Sequence, residues 1–282
     1  MFDTEGILVI FLDVTCVALA GLPFVLLTLQ HNPIKRGFFC NDDTIKYPFK
    51  EDTISCQLLC GVMIPLTLSV VIFGECLPIY KILRSPFSKR YISPVYKAVG
   101  SFLFGAAVSQ SLTDITKYST GRLRPYFLDV CKPNWRQIDC STNGYIENIT
   151  CTGDQTMINE GRLSFYSGHA SFSMYCMLFL ALYLQARLQT GWARLLRPTI
   201  QFLLITTSLY VGLSRVSDYK HHWSDVLVGL IQGSVVAILT VFFVSNFFET
   251  PVGEDSEEEM SHANLQDGSA LTNNYGSTSG AK

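Results

Sequence analysis

Apolar residues in this chain lie in long unbroken blocks, without the alternation of a half-buried strand or the single stripe of a surface helix. A membrane-crossing helix needs about 20 mostly apolar residues. Six stretches approach that length: residues 7–29, 55–79, 95–115, 169–186, 199–214 and 225–247. The third is the most polar, with Lys97, Gln110 and Asp114 inside it or at its edges, and the fifth is short before polar residues intervene. The expected fold is therefore all-α, an integral membrane bundle of six transmembrane helices over residues 1–248. The first block has no basic lead-in and exceeds the apolar core of a signal peptide, so it is expected to stay as an anchor. From residue 249 to 282 the chain is acidic, then rich in Ser, Gly, Asn and Thr, with few aromatics. That composition cannot bury a core and is expected to form a disordered tail.

Charge in the connections sets the expected orientation. Residues 80–97 carry Lys81, Arg84, Lys89, Arg90 and Lys97 with no acid, and residues 187–198 carry Arg187, Arg194 and Arg197 with none. Basic short loops stay in the cytoplasm. With six spans both termini are then cytoplasmic, and loops 30–54, 116–168 and 215–224 face the lumen or the exterior. Asn148-Ile149-Thr150, an acceptor triplet for N-glycosylation, falls in one of those outer loops and agrees with this assignment.

Composition supports the same picture: of 282 residues 48% are hydrophobic and 16% charged, where soluble domains carry about a quarter charged. The net charge of −2 adds little, and no nucleic-acid partner is expected. Of nine cysteines, Cys16, Cys56, Cys60, Cys76 and Cys176 lie in apolar blocks and read as small hydrophobes. Cys40, Cys131, Cys140 and Cys151 lie in polar outer loops, where an oxidising compartment permits disulfides in any of three full pairings. No spacing resembles a zinc site, and no metal or cofactor is expected.

Three polar clusters adjoin the spans: Lys117 to Pro125 after the third, Ser167-Gly168-His169 at the start of the fourth, and Ser214 to Asp225 between the fifth and sixth. The topology puts all three on one membrane face. Arg124 and Arg215 offer planar forks for phosphate oxygens and Lys117 a point charge. Ser167 and Gly168 stand where a helix begins, and the free N–H groups of a helix start favour an anion. His221 and Asp225 are four apart, on one face of a first helical turn if the sixth span begins near His221. A carboxylate on one ring nitrogen fixes the tautomer and leaves the other as a nucleophile, with His169 as a general acid. Taken singly, a basic residue at a span end snorkels and an acid in a first turn complements the helix dipole; the combination points to phosphoryl transfer.

These residues resemble the type 2 phosphatidate phosphatase superfamily. Its signature is Lys, six residues, Arg-Pro; then Ser-Gly-His; then Ser-Arg, five residues, His, three residues, Asp. Here the three stand as KYSTGRLRP (117–125), SGH (167–169) and SRVSDYKHHWSD (214–225). Tyr166 replaces the proline that often precedes Ser-Gly-His. The resemblance selects His221 over the adjacent His222 as nucleophile. It gives phosphate binding to Lys117, Arg124, Arg215, Ser167 and Gly168, and proton donation to His169. The acceptor triplet, the length and the segment CNDDTIKYPFKEDTI (40–54) resemble the vertebrate lipid phosphate phosphatase group. That likeness implies metal-independent hydrolysis of phosphatidate, lysophosphatidate, sphingosine 1-phosphate and ceramide 1-phosphate through a phosphohistidine. It also implies plasma-membrane residence, an outward site and self-association. The same motifs suit a sugar-phosphate or polyisoprenyl pyrophosphate phosphatase. A non-catalytic relative would be expected to lack reactive positions, which are filled here. Gly229 and Gly233 have helix-packing spacing, read here as packing within one chain before dimerisation.

Overall fold

The computed structural model describes residues 4–83, 89–138, 140, 144–147, 149–188, 193–245 and 247–248. Asn148, Arg84 and the 249–282 tail lie outside the described residues. Each expected span corresponds to one long helix: α1 (Thr4–Gln30), α2 (Cys56–Leu83) and α3 (Lys89–Thr120), then, beyond the short α4 (Phe127–Cys131) and α5 (Gln155–Glu160), α6 (Gly168–Arg187), α7 (Leu196–Ser217) and α8 (Trp223–Phe243). Among the described residues, α1, α2, α6, α7 and α8 are long and apolar enough to cross a membrane. Helix α3 has 32 residues, ample in length, but is not among those five; its Lys97, Gln110, Asp114 and Lys117 explain why.

Helix α6 is the centre of the bundle, packed against α2, α3, α7 and α8, whereas α1 leans on α3. Its buried face carries Tyr175, Phe179 and Tyr183, which meet Phe102 of α3 and Phe247 beyond α8. The Tyr175 hydroxyl donates to the Phe102 carbonyl at 2.7 Å, so the polar end of a buried aromatic is satisfied. The α6–α8 contact depends on glycine. A Cβ at Gly229 would stand 2.7 Å from the Ser167 carbonyl oxygen, and one at Gly233 would collide with that of Ser171. The spacing singled out in the sequence thus serves packing inside the chain, and it brings the start of α8 against the start of α6.

The outer loops build their own small core from Phe38, Ile45, Leu123, Phe127, Leu128, Cys131 and Ile158. Two short strands, β1 (Phe38–Phe39) and β2 (Tyr145–Ile146), pair antiparallel beside it. Of the three pairings open to the loop cysteines, the fold takes Cys40–Cys140 and Cys131–Cys151. They close sequence separations of 100 and 20 residues, restrictions of the unfolded chain worth about 5 and about 3 kcal/mol in the loop-entropy account.

Candidate active site

All three polar clusters meet at one end of the bundle. Lys117 occupies the last turn of α3, and the next residues turn away at Gly121, whose φ of 57° lies in the left-handed region. A Cβ there would also strike the Ile34 carbonyl, so the turn requires glycine. Ser167 caps α6, its Oγ accepting from the Ala170 N–H at 3.4 Å. Arg215 stands in the last turn of α7, and His222 is the residue before α8.

Asp225, fully buried, ties the clusters together. It accepts from Arg122 Nη1 through one oxygen, and from Ser164 Oγ at 2.6 Å and the His222 N–H at 3.1 Å through the other. Arg122 also donates to Ser224 Oγ at 3.0 Å, and the Asp225 carbonyl accepts from the Ser167 N–H at 3.1 Å. One residue therefore joins the loop after α3, the start of α6 and the start of α8. The first turn of α8 opens at Trp223, two residues later than a start at His221 would give. His222 accordingly lies nearest the carboxylate, its Nδ1 at 3.2 Å from Oδ2. His221 Nδ1 stands 3.8 Å from the same oxygen, within ion-pair reach but beyond a hydrogen bond.

The cations gather around the histidines. A Cβ at Gly168 would lie 3.3 Å from Lys117 Nζ, so this ammonium sits directly over the α6 start. Arg124 donates to Tyr126 Oη at 3.2 Å and to Glu160 Oε2 at 3.3 Å. Arg215 is buried between Asp52, at 3.0 Å from Nη1, and Asp218, at 2.8 Å from Nη2. Among the described residues, the motif side chains include four buried polar atoms without a hydrogen-bond partner: Arg124 Nε, Arg215 Nε, His169 Nε2 and His221 Nδ1. Buried polar groups are almost always hydrogen-bonded; His221 Nδ1 is turned towards the Asp225 carboxylate, whereas the atoms on Arg124, Arg215 and His169 come one from each motif and stand in strongly cationic surroundings. Ser167 differs from expectation in one respect: its N–H is committed to Asp225, which leaves Gly168 and His169 as the first-turn donors for an anion.

Burial holds the His221 imidazole well below its ordinary range, at about 3, partly offset by the Asp225 carboxylate and reinforced by Arg124 and Lys117. The ring is therefore neutral at physiological pH, with a lone pair to donate. Below pH 6.5 the unfolded chain binds a proton that the folded imidazole refuses. This depressed pKa thus costs nothing above pH 6.5 and costs stability as pH falls towards 3, by up to about 1.4 kcal/mol per pH unit. Thermal unfolding in detergent is expected to show a larger loss between pH 7 and about 4.5 in the wild type than in His221→Gln. Equal acid losses in the two proteins would contradict a neutral buried His221.

Sequence reading did not single out Arg122, Ser164, Asp52, Asp218 or Glu160. Arg122 falls in the spacer of its motif and Ser164 three residues before Ser167, so neither has a periodic or spacing signal. Among the described residues no cluster of three or more His, Cys, Asp or Glu has the arrangement of a metal site.

The PAP2 superfamily is matched over residues 98–249, which contain all three motifs. Phospholipid phosphatase 1 of Rattus norvegicus is 60% identical over 270 residues, covering 95% of each chain. Phospholipid phosphatase 1 of Mus musculus is 57% identical over 279 residues, 98% of each. Phospholipid phosphatase 2 of Homo sapiens is 53% identical over 277 residues, 95% of this chain and 96% of its own. No solved structure matches.

Proposed function

Because this chain belongs to the PAP2 superfamily, we propose that its phosphatase chemistry is a metal-independent hydrolysis of lipid phosphate monoesters, with His221 as nucleophile. The observation that carries this reading is the group of unpartnered buried atoms on Arg124, Arg215 and His169, contributed by all three motifs. The substrate class follows from the membrane setting and from the phospholipid phosphatases of similar sequence: phosphatidate, lysophosphatidate, sphingosine 1-phosphate and ceramide 1-phosphate.

In this mechanism the phosphate seats among Lys117, Arg124 and Arg215, with the Gly168 N–H at the α6 start. His221 attacks in line; a P–N bond forms as the ester P–O bond breaks. Asp225, drawn into hydrogen-bond contact with Nδ1 from 3.8 Å, stabilises the charge on the ring; catalytic contacts commonly tighten in the substrate complex. The phosphate brings negative charge, and a proton, against the cations; His169 carries that proton in the substrate complex and gives it to the leaving alcohol oxygen. Now neutral, it takes a proton from water as the water oxygen attacks phosphorus. The P–N bond breaks, inorganic phosphate leaves and His169 is again protonated. Phosphoryl transfer is catalysed chiefly by positioning and charge stabilisation, which three cations supply without a metal; each such preorganised group is worth about 3–4 kcal/mol in comparable sites.

The reading includes six spans with α3 as the third, cytoplasmic termini, and a plasma-membrane site facing outward. Both disulfides lie in the loops on the site's side of the bundle, and disulfides persist in oxidising compartments; the Asn148 acceptor triplet agrees. A substrate panel on purified protein in mixed micelles with excess chelator tests the function. The lipid monoesters are expected to be hydrolysed at undiminished rate. Preference for glucose 6-phosphate or a polyisoprenyl pyrophosphate, or loss of activity on chelation, would overturn it.

A further inference from the structure

The segment 47–53, between α1 and α2, lies outside the matched superfamily region yet is strapped across two of its motif loops. Tyr47 stacks on Tyr219 with centroids 4.5 Å apart, and Phe49 packs edge-on to Tyr126 at 5.2 Å. The strap ends in two different contacts with Arg215. Asp218 holds Nη2 and is itself fixed, fully buried, by the Thr53 N–H and hydroxyl at 2.8 Å each and by Lys50 at 3.0 Å. Asp52 holds Nη1 at 3.0 Å from a side chain that is 39% exposed. The same Asp52 oxygen lies 3.5 Å from Nζ of Lys220, a buried cation over the Phe49 and Tyr126 rings. Asp218 is a built-in partner of Arg215, whereas Asp52 is a carboxylate at the solvent edge, neutralising two cations beside the site.

We propose that Asp52 is a resident counter-ion of the phosphate pocket: it occupies Arg215 and Lys220 while the site is empty, is displaced by the incoming phosphate, and thereby sets how tightly substrate and product phosphate are held. The inference rests on the phosphatase reading of the site. A phosphate dianion arriving beside a fixed carboxylate meets repulsion, and removing that carboxylate frees two cations for the ligand. A strong cationic pocket without such a competitor would retain its product.

The sign of the effect separates this role from a structural one. Full-length Asp52→Asn, which keeps the side-chain shape, is expected to bind inorganic phosphate about five- to tenfold more tightly at low salt, with the difference shrinking as added salt screens the charges. The readouts are phosphate inhibition of lipid hydrolysis and the upward shift of the unfolding temperature with added phosphate, which needs no turnover. Asp52→Glu, which keeps the charge, is expected to stay near wild type. Weaker or unchanged phosphate binding in Asp52→Asn would overturn the counter-ion role alone. Absence of phosphate stabilisation in both the wild type and Asp52→Asn would overturn the cationic-pocket reading and the inference with it.

Discussion

His221→Ala is expected to abolish hydrolysis while leaving membrane insertion and the disulfides intact. Removal of the catalytic nucleophile costs on the order of 10⁶ in kcat in a serine protease, and a loss of several orders of magnitude is expected here. The alanine has no atom to carry the phosphoryl group, so a phosphoenzyme trapped with radiolabelled substrate should vanish with the activity. His222→Ala is the necessary companion, because His222 Nδ1 is the ring nitrogen nearer Asp225, at 3.2 Å against 3.8 Å for His221. It should retain most turnover and the trapped intermediate. Activity that survives in His221→Ala and disappears in His222→Ala would exchange the two roles.

The second large effect belongs to Arg122. Its guanidinium pairs with Asp225, whose side chain is fully buried, while its own is 32% exposed. Arg122→Met keeps the stem and removes the charge. Breaking one side of a buried ion pair costs about 3–5 kcal/mol; with Ser164 and the His222 N–H still bonded to the carboxylate, the lower part of that range, about 3 kcal/mol, is expected. Turnover should fall by about 10²–10³-fold, since Asp225 then loses the group that aims it and small misplacements cost on the order of 10². Arg122→Lys should recover part of the stability and of the turnover, because both bonds leave the single nitrogen Nη1 and an ammonium carries protons for both, on a stem that must reach the same place. Full activity in Arg122→Met would remove Arg122 from any role in the site.

The long helices were legible because each is a run of apolar residues, a local property that needs no partner. That the three clusters meet at one end of the bundle was legible too, since it follows from counting the long helices. Contacts across long separations were not. Arg122 and Asp225 lie 103 positions apart and Arg215 and Asp52 163; no periodicity connects them, and only the closure of α6 on α8 and the strap on the α7–α8 loop brings them together. Which of the two adjacent histidines lies nearer Asp225 was not legible, for a smaller reason. Placing the helix start at His221 puts that residue one turn below the carboxylate, whereas a start at Trp223 leaves His221 in the loop and gives the closer position to His222. The disulfide pairing was equally closed to inspection, because all three combinations satisfy the same spacing and only the folded loops select one.

The glycine seam between α6 and α8 has a consequence for an enzyme that works in a deformable medium. Bilayers of different thickness tilt the helices they hold, and α1, which packs on α3 with its outer surface exposed, meets that medium most directly. The proposed proton donor His169 opens α6 and the Asp225 anchor opens α8. Gly229 and Gly233 bring these two helices backbone to backbone just below that point. The distance between the two helix starts that carry the proposed acid and the Asp225 anchor is thereby set by backbone contact, and turnover in bilayers of different thickness is expected to vary less in the wild type than in Gly229→Ala, which would pry the seam apart.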